Sequence, residues 1–179
     1  MTLVIPATLI SQIITDARQR QPQEACGLLI GTGQTVMRVL PLPNSDPQPE
    51  QGFVFDPQAL VAALYEIDAA EQAVVGVYHS HPRSSPFPSA RDLEGAAQWR
   101  GVAQVIISLQ GRPRLQAWQI APGRVERLYI SLIADAETDV FVSRAARLAI
   151  LSGALLAVLL LVGVSISLLP AAPVITPVP

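Results

Sequence analysis

The sequence predicts an α/β domain built on a mixed, strongly twisted sheet, followed by a single transmembrane helix. Three observations carry this. Short apolar runs bounded by glycine and proline alternate with segments of helical period over residues 1–133. The only 2 histidines of the chain stand one residue apart at the end of one such run. Residues 148–169 contain neither a charge nor a proline.

The elements follow in order. Pro6 suits the first turn of a helix reaching about Gln19, with Ile5, Leu9, Ile10, Ile13 and Ile14 as its apolar face. Cys26 to Ile30 is an apolar run ended by Gly31, a buried strand. Thr35 to Leu40 is its hairpin partner across Gly31-Thr32-Gly33-Gln34. Pro41 to Gly52, with its prolines and Asn44, Ser45 and Asp46, is a loop, and Phe53 to Phe55 a short strand. Asp56 is an N-cap with Pro57 at the first helical position, and Leu60, Val61, Leu64 and Ile67 carry that helix to about Gln72. Val74 to Tyr78 and Val102 to Leu109 are strands separated by a loop and a helix. Leu115 to Ile120 and Val125 to Ile133 are two more, divided by Pro122-Gly123, which completes a domain over residues 1–134.

Asp135 to Arg147 reads as a charged linker helix. Residues 148–169 then span about 33 Å as a helix, against a hydrocarbon core of about 30 Å. Arg144 and Arg147 precede this segment, and the Pro-rich tail 170–179 is uncharged. Positive flanks stay inside, so the α/β domain is expected in the cytoplasm and the tail on the opposite side. Met1 to Leu9 lacks the basic start of a secretory signal. Gly153 with Ala157, and Gly163 with Ser167, have the small-residue spacing that supports a homodimer through the membrane helix.

Composition removes several functions. The single cysteine, Cys26, excludes an internal disulfide and a multi-cysteine zinc cage. Within its apolar run it reads as a buried small hydrophobe. Tyr78 and Trp99 read as core. A formal net charge of −2, with no basic run longer than a pair, gives no nucleic-acid footprint. All the basic residues are arginine, which genome composition explains, or else a need to escape modification on lysine.

The chemistry centres on His79 and His81. At i and i+2 of an extended strand their imidazoles share one side, a metal-ligand geometry, and Pro82 ends the strand there. After the loop Arg83 to Pro88, Ser89 is an N-cap with Asp92 three residues on, in the manner of a capping box. Asp92 in that first turn can turn its carboxylate back toward the histidines. Two imidazoles and one carboxylate make a three-ligand zinc site whose fourth position is left to water, with a pKa of about 7.

His79-Ser80-His81-Pro82 followed by Ser89-Ala90-Arg91-Asp92 resembles the His-x-His-Pro and Ser-x-x-Asp signature of the JAMM (MPN+/Mov34) metallopeptidases, in their compact prokaryotic form. Glu24-Ala25-Cys26-Gly27-Leu28-Leu29-Ile30-Gly31 resembles the same family's first catalytic strand, and Asn44 and Phe53-Val54-Phe55-Asp56-Pro57 are similar to its compact members. The likeness runs from about Ile5 to Ile133; the membrane helix is not part of the usual prokaryotic pattern. It implies a three-layer domain of cytidine-deaminase-like architecture. It implies one Zn2+ per chain bound by His79, His81 and Asp92, with Glu24 as proton shuttle and Ser89 as oxyanion donor. It also implies a ubiquitin-like or sulfur-carrier protein as substrate, cut at its C-terminus, with the loops Pro41–Gly52 and Arg83–Pro88 bordering a groove for the extended tail. The competing expectation is a metal-free scaffold of the same fold at the membrane, against which every ligand position is filled. A nucleobase deaminase needs His-x-Glu and Pro-Cys-x-x-Cys, and neither is present.

Overall fold

The computed structural model describes residues 2–133. Seven strands make one sheet: β1 (Thr2–Pro6), β2 (Cys26–Thr32), β3 (Thr35–Leu42), β4 (Ala73–His81), β5 (Ala103–Ser108), β6 (Arg114–Ala121) and β7 (Arg124–Ile133). Three helices accompany it: α1 (Ala7–Arg20), α2 (Pro57–Ala69) and α3 (Ala90–Gly95), the last continued by one 3-10 turn at Ala96–Gln98. The neighbour order is β1-β3-β2-β4-β5-β6-β7, and the sheet closes into a barrel. It is mixed, as expected: β4–β5 and β1–β7 are parallel, while β2–β3, β2–β4, β5–β6 and β6–β7 are antiparallel.

The period-2 alternation of the strands sorts side chains to two faces. Leu29, Tyr78, Val105, Ile107 and Ala117 meet Ile13 and Ala17 of α1 in one cluster. Cys26, Leu28, Ile30 and Val77 meet Ala63 and Ile67 of α2 in the other. The expected layering of helix, sheet and helix is therefore present, with the sheet curled shut. At Gly27 the flanking strands β3 and β4 crowd in so closely that a Cβ would lie 2.4 Å from the Leu40 carbonyl and 2.5 Å from the Tyr78 ring, so no other residue fits.

Three expectations need correcting. Ile5 is not on the α1 face; it belongs to β1, which the sequence reading absorbed into the helix. Pro6 precedes the helix, at its N-cap, and β1 pairs with β7 from Thr2↔Tyr129 to Pro6↔Ile133. That added strand removes the sheet edge and turns an open sheet into a barrel. Phe53 to Phe55 is not a strand: among the described residues it contributes only the isolated bridge Asn44↔Phe55, because the loop is organised by side chains instead of a ladder. Helix α2 stops at Ala69 rather than near Gln72, where Glu71 takes a positive φ of 53°. The capping residues are as expected, with Asp56 accepting from the N–H of Ala59.

The linker 135–147, the transmembrane helix expected over 148–169 and the tail 170–179 lie outside the described residues. Among the described residues no helix is long and apolar enough to cross a membrane.

Ile5 is fully buried in the closing strand. Its replacement by alanine leaves a cavity where β1 meets β7, and the expected loss is about 3 kcal/mol by denaturant titration. An unchanged midpoint would show that barrel closure adds little to stability.

Candidate active site

Strand β4 runs on through His81, so both histidines are strand residues. They share the parity of Val77 and therefore the face covered by α2 and α3. Both are buried, at 1% and 4% exposure. Their Nε2 atoms approach to 3.1 Å. The Nδ1 of His81 lies 2.8 Å from the carbonyl oxygen of Ser85. A carbonyl only accepts, so in the neutral ring that Nδ1 carries the proton and the Nε2 lone pair faces His79 and Asp92. Phe53 stacks on the ring of His79 at 4.5 Å.

Asp92 arrives through the first turn of α3. Ser89 Oγ accepts from the N–H of Asp92 at 3.2 Å, and Asp92 Oδ2 accepts from the N–H of Ser89 at 2.7 Å, closing the capping box. The cap holds the carboxylate with Oδ1 3.3 Å from His79 Nε2 and Oδ2 3.3 Å from His81 Nε2. Structural and chemical readings of this pair thus coincide.

Glu24 precedes β2 and is fastened on both sides. Its N–H donates to Pro49 at 2.6 Å, and its carbonyl accepts from Asn44 Nδ2 at 3.0 Å. The next residue, Ala25, is locked to Ser80, whose Oγ accepts the Ala25 N–H at 2.8 Å and whose own N–H donates to the Ala25 carbonyl at 2.8 Å. Glu24, His79 and His81 each bring a donor atom into one group, all within 4.8 Å of one another.

The two carboxylates are driven apart. Burial is the main force on Glu24 and, with the Asp92 charge, pushes its pKa up to about 7 against the pull of His81. Burial also opposes charge on Asp92, but the two imidazoles and the Ser89 N–H outweigh it and hold the carboxyl well below the usual range. Burial lowers the pKa of His79. It acts in the same direction on His81, where Asp92, the Ser85 carbonyl and Glu24 overcome it and raise the value. Asp92 is thus held toward its charged form beside the imidazoles, and Glu24 is pushed toward its neutral form.

This donor set fits one divalent cation. The closely spaced Nε2 atoms face a carboxylate whose charged form they favour, and among the described residues Glu24 Oε2 is buried without a hydrogen-bond partner. His79 and His81 could hold such an ion, with either Asp92, which reaches both imidazoles, or Glu24 as the carboxylate. All five sequence-derived site residues lie around this point. Cys26 and Tyr78 do not join them: both are fully buried in the core, and burial pushes the Cys26 thiol up to about 12, so it is inert. Trp99 packs edge-on against Phe55.

The sequence reading missed the supports. Ser80, between the histidines, points the other way and pins the strand carrying Glu24. Asn44 also binds the Gly52 carbonyl through Nδ2 at 3.0 Å, and through Oδ1 it accepts from Asp46 and Val54. Arg91 pairs with the buried Asp46, tying that loop to α3, and Arg83 reaches Glu50 at 3.2 Å, so the two loops expected to flank a groove touch. The spacing of Ser80 inside His-Ser-His was the one available signal.

Two imidazoles and two carboxylates gathered at a strand end make a site that could hold a metal ion and that has the groups hydrolysis needs. The family model described as prokaryotic homologs of the JAB domain matches residues 6–121. The chain is 36% identical over 122 residues to a desampylase of Haloferax volcanii, covering 65% of this chain and 87% of that protein. It is 35% identical over 111 residues to a probable TtuB-protein conjugate cleaving protease of Thermus thermophilus, covering 62% and 73%. A solution structure of a protein from Desulfitobacterium hafniense, 32% identical, superposes with a TM-score of 0.68 over 78% of this chain and 97% of that one. The chain belongs to the prokaryotic JAB-domain family, and it is an enzyme, a hydrolase of the peptidase kind.

The raised pKa of Glu24 makes a stability prediction for the metal-free protein. Below pH 4.5 the folded and unfolded carboxyls are both protonated and Glu24 costs nothing extra. As pH rises the unfolded chain ionises first, so stability is lost up to about 7 and then levels off. The shift corresponds to about 3 kcal/mol. Denaturant titrations of wild type and Glu24→Gln between pH 4 and 8 should therefore diverge with the variant more stable at the alkaline end; parallel curves would remove the buried-acid assignment.

Proposed function

We propose that the chain is a zinc-dependent peptidase that hydrolyses an amide bond at the C-terminus of a ubiquitin-like or sulfur-carrier protein, held at the cytoplasmic face of a membrane by residues 148–169. The observation that carries the chemistry is the buried, partnerless Oε2 of Glu24 beside an imidazole pair already matched to an ionised Asp92. Zinc held by His79, His81 and Asp92 would supply a Lewis acid that acidifies water and polarises the scissile carbonyl. Glu24 takes the proton from the attacking water and delivers it to the leaving nitrogen, work suited to a carboxyl with a pKa of about 7. Ser89 Oγ accepts from Asp92, which leaves its own proton to donate to the carbonyl oxygen as negative charge builds there. Phe53 covers one face of the His79 ring, and the Ser85 carbonyl keeps His81 in one tautomer.

The choice of substrate is supported by what the similar proteins are named for, a desampylase and a conjugate-cleaving protease. Membrane attachment is supported by the uncharged stretch 148–169 with Arg144 and Arg147 before it, and pairing of two chains by Gly153, Ala157, Gly163 and Ser167.

Wild type should contain one equivalent of zinc by mass spectrometry and cleave at least one member of a panel of carrier-protein fusions. Glu24→Gln should keep the zinc and lose the cleavage. Ser89→Ala should lower kcat by about 100-fold with little change in KM. A folded wild-type chain that takes up no zinc would defeat the enzyme mechanism and favour a scaffold. For the anchor, alkaline extraction of cells expressing the full chain should leave it in the membrane pellet; release into the supernatant would discard the tether.

A further inference from the structure

The carbonyl that fixes His81 belongs to the loop between β4 and α3, and a loop of serine and proline has no ladder to hold it still. Here it is held from outside. Three successive carbonyls each accept a hydrogen bond from a side chain. Ser84 accepts from Ser108 Oγ at 2.6 Å, Ser85 from His81 Nδ1 at 2.8 Å, and Pro86 from Trp118 Nε1 at 3.0 Å. Ser108 is fully buried on β5, directly opposite His81 in the parallel register. Trp118 is 6% exposed on β6, among Ile106 and Ile120. The indole N–H can only donate, and buried there it has to find an acceptor. The chain also binds the end of the histidine strand to the same place, since the Leu109 N–H donates to the His81 carbonyl at 3.0 Å. His79 has no equivalent among the described residues: its Nδ1 is buried there without a partner.

We propose that Ser108 and Trp118 are positioning residues of the metal site, holding the Ser84 and Pro86 carbonyls so that the Ser85 carbonyl between them presents a fixed acceptor to His81 and sets its tautomer. This rests on the reading of the site as a zinc site, but the device itself is in the protein alone. Inside the loop the Ser85 oxygen also accepts from the Phe87 N–H at 2.8 Å, a local turn that does not tie it to β4; without the two outer bonds that turn can shift away from the strand, and His81 is then free to place its proton on Nε2, where it blocks a ligand lone pair. Partners of this kind change metal affinity by about 10-fold to 100-fold when lost.

The test uses the full-length chain as wild type, Trp118→Phe, Ser108→Ala and, as a packing control on the same face, Ile120→Val. Long-range proton–nitrogen correlations of the metal-free protein report the His81 tautomer, and chelator competition reports zinc affinity. Wild type and Ile120→Val should show His81 protonated on Nδ1 alone. Trp118→Phe and Ser108→Ala should show mixed tautomers and bind zinc about 10-fold more weakly or worse. An unchanged tautomer with unchanged affinity in both variants overturns the proposal, and so does an equal loss of affinity in Ile120→Val. If Trp118→Phe does not fold, Ser108→Ala decides by the same two readouts. A wild-type chain that binds no zinc, yet whose His81 tautomer responds to both variants, would defeat the zinc reading and leave the positioning device standing.

Discussion

One carboxylate has three partners to satisfy. Asp92 accepts the Ser89 N–H that starts α3 and turns one oxygen to each imidazole. The helix start and the cluster of imidazoles and carboxylate are therefore one structural unit. Removing the side chain would unpair a backbone donor and leave two buried histidines facing each other. The cost of gathering these groups in a place with little water is borne by the ionised state of Asp92, which both imidazoles and the helix cap favour. Everything else around the site holds that arrangement in register.

The sheet does most of the holding. Strand parity sends Val77, His79 and His81 to the α2 and α3 face, and Tyr78 and Ser80 to the other. Tyr78 fills the layer under α1 and donates to Asp16 at 2.7 Å, while Ser80 grips Ala25. One strand thus carries the two imidazoles on one side and anchors on the other. Closure by β1 leaves no free edge that could fray toward the site.

Environment divides labour between the two acids. They lie close enough to feel each other's charge, yet one is held ionised and the other drawn toward neutral. The difference is in partners: Asp92 has two imidazoles and a backbone donor, whereas Oε2 of Glu24 is buried with no hydrogen-bond partner among the described residues. The loop that carries Asn44, Asp46 and Phe53 bonds the backbone of Glu24 through Asn44 and Pro49, so a segment with hardly any secondary structure helps to place that buried carboxyl.

Much of this was legible in the sequence because it is local. A strand is an apolar run, a capping box is a Ser and an Asp three apart, and two histidines at i and i+2 share a face whatever the rest of the chain does. The His79, His81, Ser89 and Asp92 grouping needed only those rules. Glu24 did not follow from them: it lies 55 residues before His79, and only the resemblance to a known family singled it out. What the tertiary structure decided is non-local. That Thr2–Pro6 would leave the helix and pair with β7 depends on a strand more than a hundred residues away. The bonds from Ser108 and Trp118 to a distant loop, and the stacking of Phe53 on His79, depend on which elements the closed sheet brings together. Periodicity and spacing report on neighbours along the chain; partners across the barrel are chosen by the fold as a whole.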